Sequence, residues 1–147
     1  MNLTWLATVF CAGFLAVLAF HQGLYALLYN AGVIPKAKPP APSNAPWDMT
    51  RVPPLGVPRV LSSSFWGGVW AIVLMALLQS FNGTAYWAAW FIVGGVALTL
   101  VFLYVVRPLK GEKTVGFPLP FFLVGFALNG VWGVGTAWLA RVLGGIG

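Results

Sequence analysis

Acidic side chains are nearly missing from this chain of 147 residues, which holds two carboxylates, Asp48 and Glu112, beside eight lysines and arginines and one histidine. Charged residues reach only 7%, against about a quarter in an ordinary soluble chain. So few charges cannot cover a globule of this size, and a water-soluble fold is excluded. Paired acid/base catalysis goes with it. A general acid and a general base must reach one substrate atom, whereas Asp48 and Glu112 sit in separate basic segments and read as solvated loop charges. The single cysteine, Cys11, lies in an apolar run, which excludes an internal disulfide and a cysteine-built metal centre. One histidine cannot hold a haem from both sides. Gly130, Gly133 and Gly135 lack the G-x-G-x-x-G order and follow no strand pattern, so a dinucleotide-binding turn is excluded. No cofactor and no metal site is expected, and the chain reads as non-enzymatic.

What the sequence has in excess is apolar length. Hydrophobic residues make up 60% of it, and four runs stand out, about 3–29, 60–81, 84–106 and 117–143. Each reaches the roughly 20 residues that cross about 30 Å of hydrocarbon. Lipid cannot satisfy unpaired strands, and the runs lack the alternation of a membrane barrel. The expected fold class is therefore all-α, an integral membrane bundle of four transmembrane helices forming one domain over 1–147. The first run has no Lys or Arg ahead of it and is too long for the apolar region of a signal peptide, so it reads as a retained helix.

The connections differ in character. The first, Ile34 to Pro58, holds eight of the eleven prolines and cannot be helical. It should be extended or irregular, with turns near Gly56, and its apolar part, Pro53 to Pro58, is suited to the membrane interface. The second, Phe81-Asn82-Gly83-Thr84, is a tight turn that makes helices two and three an antiparallel hairpin. The third, Arg107-Pro108-Leu109-Lys110-Gly111-Glu112-Lys113, joins a proline stop to a run of charge and reads as a short wet loop.

Basic residues set the orientation. Lys36, Lys38, Arg51, Arg59, Arg107, Lys110 and Lys113 fall in the first and third connections, while the opposite side has only Arg141. By the positive-inside rule those connections are cytoplasmic and both termini face outward. The same pattern explains the net charge of +6 without a nucleic-acid partner. Trp5, Tyr86, Trp87, Trp90 and Trp138 are placed to mark the outer interface, and Tyr25, Tyr29, Trp66 and Tyr104 the inner one. Lys36, Lys38, Arg51 and Arg59 could also attract anionic lipid at about 1 kcal/mol each, although topology signalling explains them without added function.

Few polar residues fall inside the runs. His21, followed by Gln22, is open to a functional role as a relay or headgroup contact, and equally to a structural one as a neutral imidazole bonded to a neighbouring helix. On the fourth run Gly125, Asn129, Gly133 and Ala137 form one stripe at i, i+4 spacing, a helix-packing face. Asn129 stands about 18 Å and His21 about 12 Å above the cytoplasmic ends of their helices, close enough for a bond between them after modest tilt. Gly67 and Gly68 supply a second packing notch, and Ser62-Ser63-Ser64 reads as an N-cap and interfacial cluster. The Gly-Trp patches on helices two and four are too short to establish an internal repeat.

Phe20-His21-Gln22-Gly23, Pro54-Leu55-Gly56-Val57-Pro58, Phe65-Trp66-Gly67-Gly68-Val69-Trp70 and Asn129-Gly130-Val131-Trp132-Gly133 together resemble small four-helix bacterial inner-membrane proteins that are uncharacterised. The likeness covers most of the chain and implies a bacterial inner-membrane location without an activity. The leading expectation is a multi-pass protein that works through helix association in the lipid, as a homo-oligomer or an accessory subunit of a larger membrane complex. The alternative is a small oligomeric transporter or channel with a polar path near His21, Gln22 and Asn129.

Overall fold

The computed structural model describes residues 2–38, 43–109 and 117–146. Lys110, Glu112 and Lys113, with Pro39, Pro40 and Pro42, lie outside them. Four helices are long and apolar enough to cross a membrane: α1 Leu3–Asn30, α2 Arg59–Leu78, α3 Gly83–Leu109 and α4 Leu119–Gly144. Each end has a local cause. The Asn2 side chain accepts the Trp5 N–H at 2.8 Å and starts α1. Gly32, with φ +78°, ends it, its N–H reaching the Tyr29 carbonyl and that of Val33 the Leu28 carbonyl. Pro120 stands in the first turn of α4, where no intrahelical donor is needed.

The first connection is more ordered than its prolines imply. Two short antiparallel strands, β1 Arg51–Val52 and β2 Val57–Pro58, pair around a turn in which Gly56 takes φ +65°. β2 runs directly into α2, so the serines lie inside the helix and do not cap it. Ser64 is buried and donates to the Val60 carbonyl at 2.9 Å. The third connection also begins later than its proline predicts, since Arg107, Pro108 and Leu109 continue α3. The turn Phe102–Val106 is π-helical, with the Arg107 N–H bonded to the Phe102 carbonyl. This wider turn shifts the ladder just where the Pro108 ring would meet an α-helical carbonyl.

Helices joined by the tight turn are not the ones that pack closely. α1 lies against α2 and α4, and α3 lies against α4, while α2 and α3 touch sparingly. The expected α2–α3 hairpin is therefore a chain connection and not the main packing pair. Small residues decide this. Gly94 faces the backbone of Asn129 and Gly133, Gly133 lies against the Trp90 carbonyl, and Gly125 meets Thr99. On the other seam, Gly13 lies against Gly67 and Ala71, and Gly68 takes the Phe10 ring. Trp132 ties the seams together, being 1% exposed and donating its indole N–H to the Gly13 carbonyl at 3.0 Å.

The core fills the half of the bundle that carries the chain termini. Val9, Leu74, Met75, Tyr86, Trp90 and Trp132 are all buried there. Tyr86 and Trp90 thus leave the expected outer aromatic belt, because as i and i+4 neighbours they share the inward face of α3. Trp138 stays exposed. The Arg141 guanidinium stacks over the rings of Tyr86 at 4.5 Å and Trp87 at 4.8 Å.

Candidate functional site

At the other end, nearest the long connection, the bundle is not filled. Because α2 and α3 do not close on each other, an apolar cavity of about 1120 Å³ lies between the inner parts of α1, α3 and α4. His21, Tyr25, Trp70, Phe102, Leu128 and Asn129 are among its walls. A polar pocket of about 150 Å³ adjoins it, lined by His21, Gln22, Tyr25, Asn44, Asp48, Arg59 and Ser63. His21, Tyr25 and Asn44 belong to both linings.

His21 closes a second π-helical turn, Val17–His21. In an unbroken α-helix the Gln22 N–H would bond the Leu18 carbonyl, but it turns to Val17 and Ala19 instead. The Leu18 carbonyl takes the Trp47 indole N–H at 2.9 Å, and the Gln22 side-chain oxygen takes the Trp47 backbone N–H at 2.8 Å. Trp47 holds φ +49°, a left-handed conformation unfavourable for a bulky residue, so these two bonds strap the loop across α1 against local strain. The Tyr25 hydroxyl donates to the Asn44 carbonyl at 2.8 Å, and the Asn44 amide bridges Pro35 and Ala37. His21 Nδ1 is enclosed and has no hydrogen-bond partner among the described residues.

Asp48 is not the solvated loop charge its setting implied. Its side chain is 10% exposed and stands 3.1 Å from Arg59 Nη1, which also donates to the Ser43 carbonyl at 3.2 Å. Hydrogen bonds from Thr50, aided by the Arg59 charge, hold the Asp48 carboxyl below the usual carboxylate range against the opposing effect of burial. Of the basic residues considered for lipid contact, Arg59 is thus occupied inside the loop. Lys36 lies over the Tyr29 ring at 5.3 Å, while Lys38 and Arg51 are exposed.

The polar residues singled out on the helices are only partly brought together. His21 and Asn129 share the apolar cavity, whereas Gln22 faces the polar pocket. The bond that tilt would have allowed between His21 and Asn129 is not formed, because Asn129 Nδ2 donates across the α3–α4 seam to Thr99 Oγ1 at 3.0 Å. Among the described residues no group of His, Cys, Asp or Glu could hold a metal ion. Sequence reasoning missed Tyr25, Asn44, Trp47 and Thr99. Tyr25 was legible as the i+4 neighbour of His21. The other three meet helix partners far along the chain, Asn44 at 19 residues from Tyr25, Trp47 at 25 from Gln22 and Thr99 at 30 from Asn129, which periodicity does not reveal. Compared with protein-family models, with curated proteins and with solved structures, the chain matches none.

Proposed function

We propose that this chain is a non-enzymatic multi-pass protein of a bacterial inner membrane that holds a molecule of the bilayer in its loop-end cavity, as a homo-oligomer or an accessory subunit of a larger membrane complex. The observation that carries this reading is the contrast between the two halves of the bundle. One half holds an apolar cavity of about 1120 Å³, near the upper size of pockets that enclose small organic ligands. The other is filled by Trp90, Trp132, Leu74 and Met75, each buried. A space open at one end and packed at the other suits a receptacle better than a conduit. The basic residues around the long connection favour a cytoplasmic position for the cavity, with both termini outside. The sharing of one cavity by His21 and Asn129 is what favours the alternative of an oligomeric transporter or channel; the filled half weighs against it.

Purification in native nanodiscs, with the oligomeric mass and all retained small molecules and proteins measured by mass spectrometry, tests the reading. Retention of one bilayer component in constant ratio to the chain supports it, and co-isolation of a larger complex identifies the accessory role. A chain that retains nothing through detergent exchange, yet passes solutes in sealed vesicles, overturns it in favour of transport.

A further inference from the structure

We infer that the molecule held is a neutral amphipath, with a carbonyl or hydroxyl oxygen in its head and a long prenyl or acyl chain. The head would sit in the polar pocket beside His21, with the chain along the apolar cavity. This inference rests on the reading of the cavity as a holding site and goes on to its chemistry. Three observations carry it. The small polar pocket and the large apolar cavity adjoin and share His21, Tyr25 and Asn44, which is the division of space an amphipath requires.

The second observation is neutrality. Among the described residues, the one cation of the polar pocket, Arg59, is paired with Asp48, and the remaining polar lining is uncharged. A phosphate head would bring a charge with no partner, at a large desolvation cost. The third is His21 itself. Its Nδ1 is enclosed without a partner, and an enclosed N–H is left unpaired more rarely than a lone pair. The proton accordingly belongs on Nε2, leaving a donor for an oxygen acceptor in the voids that the ring lines. The sparse contact between α2 and α3 offers a lateral way in from the bilayer.

The test uses the full chain in phosphatidylcholine nanodiscs, doped separately with a long-chain ubiquinone, a diacylglycerol or phosphatidylglycerol, and native mass spectrometry to count molecules retained. Preferential retention of the ubiquinone or the diacylglycerol over phosphatidylglycerol is expected, and the better of the two names the source. His21→Ala should weaken that retention about fivefold or more, the effect of one lost hydrogen bond, and His21→Gln, which keeps a donor, should recover part of it. Preference for phosphatidylglycerol, or equal retention by wild type and His21→Ala, overturns the inference while leaving a holding site. Val124→Trp and Val101→Trp, which fill the cavity from two helices, separate the underlying reading. If both retain as much of every additive as wild type, no molecule is held in the cavity and both readings fall.

Discussion

Trp132 is the best place to measure what holds the bundle together. Its indole is 1% exposed and donates to the Gly13 carbonyl at 3.0 Å. That carbonyl also accepts the Val17 N–H, so removing the indole leaves no orphaned backbone group. Interhelical hydrogen bonds in membranes contribute about 0.6 kcal/mol on average and up to about 1.7. Trp132→Phe also vacates roughly 40 Å³, which at about 24 cal/mol per Å³ adds about 1 kcal/mol. The expected total is about 1.6–2.7 kcal/mol. Trp132→Ala should cost about 3–5 kcal/mol, as large aromatic truncations do. Trp66→Phe is the control, since Trp66 is 58% exposed and should change stability by less than about 0.5 kcal/mol. Reversible unfolding in mixed detergent and dodecyl sulfate micelles, followed by far-UV circular dichroism, gives all three values. Equal losses for Trp132→Phe and Trp66→Phe would refute the junction, as would a Trp132→Ala no worse than Trp132→Phe.

Further outcomes follow from the seams and the loop. Gly133→Ala places a methyl against the Trp90 carbonyl and should destabilise by about 1–3 kcal/mol in the same assay, whereas Gly23→Ala meets nothing and should be neutral or stabilising by up to about 1 kcal/mol. Thr99→Val and Asn129→Leu should each cost about 0.6–1.7 kcal/mol, and the double variant should cost clearly less than their sum, because both remove one bond. The Asp48 carboxyl is depressed in the folded chain, so its contribution is complete above the ordinary carboxylate value and is lost as pH falls through the lower folded one. Hydrogen-exchange protection over residues 43–60, taken relative to the intrinsic rate at each pH, should therefore fall at acid pH in the wild type, with that of α4 unchanged, and Asp48→Asn should show the lower protection already at neutral pH.

Helix number, approximate helix ends and helices long and apolar enough to cross a membrane were legible in the sequence because they depend on run length and composition, which are local quantities. His21 and Asn129 stood out for the same reason, as polar side chains in apolar runs. Their partners did not. Asn129 bonds Thr99 and not His21 because α4 lies on α3 along Gly94, Gly125 and Gly133. Asp48 meets Arg59 only once the β-hairpin turns the loop back onto the start of α2. The turn at Asn82-Gly83 dictates that α2 and α3 are consecutive, yet not that they pack, since a short connection limits distance at one end only. Which helices meet was decided by shape, by where glycines let backbones approach and where Trp132 could insert. The cavity is the consequence. Four apolar helices are written in the chain, but the space left between two of them exists only in the folded arrangement.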